Sequence, residues 1–220
     1  MYVKNLDSWG IFAVCSTQHM LTLRYPLVLA SGSPRRRQLM TDAGFSFTTE
    51  VRPTDETFPQ IMPANDVAEY LACQKAEQFR ADLGERIVLC ADTIVILDNQ
   101  ILNKPQHEAE ARQMLSALSG RTHRVRTGVA MLAPGDDGQP QVHSFTDETT
   151  VQFAPLTEDE ITYYIRECRP FDKAGSYGAQ DFIGLVGIER LDGSFYTVMG
   201  LPTHRVYQAL KRFAFVESAT

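Results

Sequence analysis

Cysteine is scarce in this 220-residue chain and badly placed for cross-linking. The four residues Cys15, Cys73, Cys90 and Cys168 make no C-x-x-C pair and have no histidine at zinc-ligand spacing. That pattern argues against a disulfide framework and a structural zinc site, and for reduced thiols in a cytoplasmic protein. The five histidines, His19, His107, His123, His143 and His204, never form H-E-x-x-H, so a zinc hydrolase is not indicated. No apolar run approaches the ~18 residues that span a bilayer, which argues against a membrane partner. A P-loop signature, G-x-G-x-x-G and G-x-S-x-G are all missing. Kinase, oxidoreductase and serine-hydrolase readings therefore lose most of their support.

Positive charge is also short, since 21 Lys and Arg against 27 Asp and Glu give a formal net charge of −6. A nucleic-acid partner is disfavoured, although Arg35-Arg36-Arg37 and the stretch Arg121 to Arg126 are locally basic. A local basic cluster still suits a small anionic ligand. What the chain does contain is 44% hydrophobic and 22% charged residues, the balance of a sequence that buries a core. Its length fits one large domain or two small lobes sharing a cleft.

Residues 1–24 read as a poorly ordered N-terminal extension, with Met20 an alternative start, because Asp7, Gln18, His19 and Arg24 interrupt any signal-peptide core. Residues 25–220 read as a single domain in which strands and helices alternate. Leu27–Ala30 is a strand, and Ser33-Pro34 caps a helix over about 35–43 with Leu39, Met40 and Ala43 inward. A helix over about 66–83 places Val67, Leu71, Phe79 and Leu83 on one face. Ile87–Ala91 is an apolar strand ending on Asp92, followed by a hairpin around Asp98-Asn99. A helix over 107–119 buries Ala111, Met114, Leu115 and Leu118. Two strands that alternate inward and outward then flank the loop 134–140. Thr157-Glu158-Asp159-Glu160 is a capping box that opens a further helix. Closing strands over 185–191 and 195–198 flank the Asp192-Gly193 turn, and a last helix from Pro202 buries Val206, Leu210 and Phe213.

Three segments carry candidate chemistry. Ser31-Gly32-Ser33-Pro34-Arg35-Arg36 sits between a strand and a helix, where free N–H groups, hydroxyls and guanidinium donors suit phosphate oxygens. The alternative is an ordinary cap with solvated arginines. Asp92 is a carboxylate at the end of an apolar strand, placed to hold Mg²⁺ or orient water, or else to end the strand. Asp172 to Gln180, with two glycines, Lys173 and an amide, is a ligand-loop candidate between a helix and a strand. Asp55-Glu56, Lys75 and Lys104 are weaker candidates with ordinary surface readings.

Together these blocks, with Ala91-Asp92-Thr93-Ile94-Val95, Asn103-Lys104-Pro105, Leu118-Ser119-Gly120, Asp172-Lys173-Ala174-Gly175-Ser176-Tyr177-Gly178 and Gly200-Leu201-Pro202, resemble the ordered motifs of the Maf family of nucleoside triphosphate pyrophosphatases. The resemblance implies an α/β fold related to the inosine triphosphate pyrophosphatases: a mixed, elongated sheet with flanking helices and two lobes around a cleft, commonly as a homodimer. It implies hydrolysis between the α- and β-phosphates, giving a monophosphate and pyrophosphate, with Mg²⁺ as cofactor and Mn²⁺ or Co²⁺ as substitutes. It assigns the catalytic base to Asp92 and a metal ligand to Glu56, with Asp55 as rival. Arg35, Thr93 and Gln180 match the branch acting on dTTP and UTP, and Ser31, Ser33, Arg36, Lys75, Lys104 and Lys173 join them in holding the nucleotide. The branch favouring 7-methyl-GTP has D-Q in place of Asp92-Thr93. Asn103 and the N-terminal extension depart from the pattern. Two other readings remain: a Maf-like pyrophosphatase of different base preference, and a non-catalytic nucleotide-binding regulator of septum formation.

Overall fold

A computed structural model of the chain describes residues 21–215. The expectations for residues 1–20 lie outside them. One seven-stranded mixed sheet, β1 (Leu27–Leu29), β2 (Thr48–Thr49), β3 (Ile87–Leu97), β4 (Gln100–Leu102), β5 (Thr122–Pro134), β6 (Pro140–Phe153) and β7 (Ile188–Asp192), has the order β2-β1-β3-β5-β6-β7, with β4 also on β3. Strand β1 is parallel to β2 and β3, and the remaining pairs are antiparallel. Helices α1 (Pro34–Asp42), α2 (Ala64–Glu77), α3 (Glu108–Leu118), α4 (Glu158–Cys168), α5 (Phe182–Gly187), α6 (Phe195–Met199) and α7 (Thr203–Leu210) flank it. This is the mixed sheet with flanking helices that the resemblance implies.

The residue alternation along β3 explains the cleft. On one face Ile87, Leu89 and Ala91 pack with Leu39, Met40, Val206 and Leu210, whereas Val95 and Leu97 pack with Leu115, Leu118, Ile161 and Ile165. On the other face Val88 and Cys90 meet Ala72, Ala76 and Phe79 of the α2 region, whereas Ile94 and Ile96 meet Val67, Ala68 and Leu71. The series breaks at Thr93 on the first face and at Asp92 on the second. Two polar residues in an apolar strand thus separate four clusters into two lobes, since apolar side chains coalesce where they can exclude water. The backbone forks at the same place. Strand β3 pairs with β1 only as far as Leu89 and with β4 only from Val95, so its edge from Ala91 to Ile94 carries no strand partner and borders the cleft.

Local signals set many element ends as expected. Ser33 caps α1, with Pro34 as its first residue. Thr157 and Glu160 form a complete capping box on α4. Asp98 and Asn99 both have positive φ, 50° and 64°, as a two-residue hairpin turn requires.

Elsewhere tertiary context corrects the sequence reading. Strand β3 does not end on Asp92 but continues to Leu97, because β5 pairs with it on both sides of that residue. Of the two expected closing strands, 185–191 is extended from Ile188 onward and 195–198 is helical. Residues 182–187 form α5, only Ile188–Asp192 is extended, and Phe195–Met199 is α6, which ends at Gly200 with φ 108°. β-branched and aromatic residues bias such a segment toward strand only where a pleated surface receives them. The Asp172–Gln180 loop accordingly joins two helices, not a helix and a strand. The helix expected over 66–83 stops at Glu77, and Phe79 and Leu83 are buried from the turns beyond it. Inward-outward alternation gives way in β5 to burial of both faces from Thr127 to Ala133, because α2 covers one side and the α1/α7 layer the other. Ala43 is the exposed C-cap of α1, and Phe213 is only half-buried. Thr22 to Arg24 pair with Phe213 to Phe215 through the Leu23–Ala214 bridge and two flanking backbone hydrogen bonds.

Candidate active site

The fork in the sheet opens into a cavity of about 600 Å³, within the usual range for small-molecule sites. Strand β1 delivers the Ser31–Ser33 loop to its rim. Ser31 Oγ accepts from the Ser33 amide at 3.2 Å and from Arg36 at 3.3 Å. Arg36 points inward, with Nε donating to Gly200 O at 2.7 Å and a terminal nitrogen donating to Thr93 Oγ1 at 3.0 Å. Burial pulls the pKa of this guanidinium down, and the Asp92 carboxylate partly restores it. A planar guanidinium has five N–H donors, so those three bonds leave further donors for an anion. Arg35 reaches across the cleft to Asp172 at 2.9 Å, bridging elements 137 residues apart.

The carboxylates Asp92 and Glu56 meet Lys75 on the α2 side of β3. Lys75, near the end of α2, donates to Asp92 Oδ1 at 2.5 Å and pairs with Glu56 Oε1 at 2.8 Å. Lys104 lies 3.7 Å from the other Glu56 oxygen. Burial pushes the Glu56 carboxyl up, but the bond and charge of Lys75, with the charges of Lys104 and Arg36, outweigh it and hold the carboxyl below its ordinary value. Two carboxylates that both reach one cationic nitrogen are close enough to share one cation. Their hard oxygens suit Mg²⁺, which commonly takes one or two carboxylates together with substrate phosphates. Among the described residues no group of three or more His, Cys, Asp or Glu is arranged to hold a metal, so this donor set fits an ion completed by a ligand. Asp55 is exposed and does not line the cleft.

The far wall is the loop before α5. Lys173 is held by Asp172 at 2.8 Å and Asp181 at 3.4 Å. Burial raises the Asp172 carboxyl, and Lys173 and Arg35 more than offset it, so its pKa lies below the ordinary value. Gln180 lines the cleft with its Oε1 buried and unpaired. Ser31, Ser33, Arg35, Arg36, Glu56, Lys75, Asp92, Thr93, Lys104, Lys173 and Gln180 all line this one cavity. Residues 26–213 match the family model described as "Maf-like protein".

The chain belongs to the Maf family.

Its relatives include a dTTP/UTP pyrophosphatase of Phocaeicola vulgatus, 43% identical over 191 residues, covering 86% of this chain and 96% of that one. One from Halalkalibacterium halodurans is 46% identical over 190 residues, covering 86% and 97%. A third, from Porphyromonas gingivalis, is 43% identical over 194 residues, covering 86% and 95%.

The structure of this Maf protein adds residues that the sequence reading missed. Arg52 lines the cleft, stacks over Phe79 with 4.0 Å to the ring centroid, and is held by Glu50 and Asp82, both at 2.6 Å. It thereby fixes the irregular segment that carries Glu56. Thr127, opposite Thr93 in the β3–β5 register, is buried in the seam; a hydroxyl just before the apolar run Val129–Ala133 was its only sequence signal. The basic stretch from Arg121 is largely neutralised, with Arg121 on Asp98 and both Arg124 and Arg126 on Glu148.

Behind the far wall, His123 is 2% exposed, packs edge-on against Phe153 and Tyr177, and shares a 2.7 Å Nε2–hydroxyl contact with Tyr177. Burial lowers its pKa from 6.5 to about 4. The unfolded chain therefore binds more protons between those values, and stability falls as pH drops through the window, by about 3 kcal/mol at most. In His123→Gln, which does not titrate there, the melting temperature should fall less steeply between pH 6.5 and 4.5 than in wild type. Parallel slopes would contradict this account.

Proposed function

We propose that this chain hydrolyses dTTP and UTP, or modified pyrimidine nucleotides, to the monophosphate and pyrophosphate. The observation that carries the reading is the convergence of Asp92 and Glu56 with Arg35, Arg36, Lys75, Lys104 and Lys173 on one cleft of a protein whose relatives bear that name. Asp92 takes the proton of a water that attacks the α-phosphorus, and the bond from that phosphorus to the bridging oxygen breaks. The cations neutralise charge that develops on the departing pyrophosphate, an effect strongest in a water-poor cleft. Lys75 holds the Asp92 carboxylate in position. Glu56 and Asp92 would hold a divalent cation, Mg²⁺ first among them, which supplies charge neutralisation and lowers the pKa of bound water. Gln180 and Thr93 face the nucleoside.

The reading extends to a reducing cytoplasmic setting, since Cys73, Cys90 and Cys168 are free thiols. No helix among the described residues is long and apolar enough to cross a membrane. A homodimer belongs to the same reading, with exposed Leu185, Val186 and Tyr196 as apolar surface to bury.

Pyrophosphate release is the test, using dTTP, UTP, CTP, dCTP, GTP, 7-methyl-GTP and ITP with Mg²⁺ and with chelator. Selective release from dTTP and UTP, abolished by the chelator and restored by Mg²⁺, is expected. Release from none of them overturns the reading, and release from 7-methyl-GTP alone transfers the chain to the other base preference.

A further inference from the structure

The seam between the lobes contains a chain of hydrogen bonds whose direction is fixed at both ends. Arg36 is a donor only, and it donates to Thr93 Oγ1 at 3.0 Å. Thr127 Oγ1 donates to the backbone carbonyl of Thr197 at 2.8 Å, and a carbonyl only accepts. Thr93 and Thr127 hydroxyls lie 2.9 Å apart. Each hydroxyl has one hydrogen, and that of Thr127 is committed to Thr197. The hydrogen between the two threonines is therefore Thr93's own. Thr93 spends its single proton inward, and it can offer the cleft nothing but a lone pair.

We propose that Thr127 is a specificity-determining residue that never touches the ligand: it makes Thr93 an acceptor, so that the substrate group lying against Thr93 must be a hydrogen-bond donor. The inference rests on the proposed function and deepens it. Phosphate oxygens are acceptors and find no donor in Thr93; their donors are Arg35, Arg36, Lys75 and Lys104. On the Thr93 face of β3 the lining continues through Val95, Val125 and Val198, an apolar wall for an uncharged group. Uracil and thymine carry a ring N3–H, whereas cytosine presents a lone pair at N3. Lone pair against lone pair leaves both unpaired in a partly buried site, which weakens binding about tenfold or more. With the N3 edge of the base against Thr93, the polarity of Thr93 thus selects the ring that carries a hydrogen at N3. Thr127 is fully buried and is not part of the cleft lining, so it acts on the ligand only through Thr93.

The test replaces Thr127 by Val, which keeps the shape and deletes the hydroxyl, and by Ser, which keeps the hydroxyl. Calorimetric binding of UMP and CMP in Mg²⁺ is measured beside kcat/KM for UTP and CTP. Wild type should prefer UMP. Thr127→Val, with the Thr93 proton released to face the cleft, should narrow the UMP-to-CMP ratio about tenfold, largely through tighter CMP, and Thr127→Ser should keep the wild-type ratio. If Thr127→Val does not fold, Thr127→Ala gives the same readout.

Equal binding of the two products by wild type, an unchanged ratio in Thr127→Val with both affinities lowered together, or a serine variant that behaves like valine would each overturn the proposal. Binding is read without turnover, so a wild type that discriminates UMP from CMP but releases no pyrophosphate refutes the proposed reaction and leaves this inference standing.

Discussion

Asp92→Asn should lower kcat for pyrophosphate release by about a thousandfold or more while leaving the melting temperature close to that of wild type. The substitution is isosteric, yet it removes a proton acceptor, a contribution of about 10²–10⁴ in other hydrolytic sites, and one of the two carboxylates available to a cation. The fold tolerates it for a stated reason. Lys75 keeps Glu56 at 2.8 Å when the Asp92 charge is gone, so no buried ammonium is left without a partner. The introduced amide can still accept from Lys75 through its oxygen, as the carboxylate does. Purified Asp92→Asn with more than a tenth of wild-type turnover would remove Asp92 from the chemistry. A collapse in thermal stability would show that the carboxylate is structural instead.

The second large effect concerns Gly128, the register partner of Asp92 on β5. A Cβ there would sit 2.2 Å from the carbonyl oxygen of Ala68 and 2.4 Å from the amide nitrogen of Glu69, both backbone atoms of α2. Neither is the end of a flexible side chain, so the helix as a whole must move outward. Overpacking of this kind costs about 3 kcal/mol, and Gly128→Ala should reduce the denaturation midpoint accordingly. Lys75 lies on the same helix, two turns beyond Ala68, and a displaced α2 withdraws it from Asp92. Activity in the surviving folded fraction should fall as well. A Gly128→Ala protein within about 1 kcal/mol of wild type, on the same overpacking scale, would mean that α2 does not lie against β5 as described.

Both predictions depend on the close approach of elements that are distant in sequence, and this separates what was legible in the chain from what was not. Ser33-Pro34, the Thr157–Glu160 capping box and the Asp98-Asn99 turn were readable because a cap or a turn is decided by residues within a few positions of one another. The motif blocks were readable as residues but not as geometry. Nothing in Asp172-Lys173 shows that Asp172 faces Arg35, and nothing in Glu50-Val51-Arg52 shows that Arg52 stacks on Phe79. Segments such as Phe195–Met199 misled because five residues are too few for a periodicity to establish itself against composition.

The sequence by itself determined the family motifs, an alternating α/β order, the caps that open α1 and α4, and most of the cationic and carboxylate inventory of the cleft. Only the tertiary structure decided that Asp92 and Thr93 stand inside a continuous strand where two pairs of apolar clusters part. It also decided that Lys75 lies between Asp92 and Glu56, and that Thr127, 70 residues from its acceptor Thr197, directs the proton of Thr93. The physical reason is one of range. Dihedral preferences, caps and hydrophobic period act over a few residues and are written locally. A buried hydroxyl or ion pair takes its role from whichever donor and acceptor the packed sheet brings within about 3 Å.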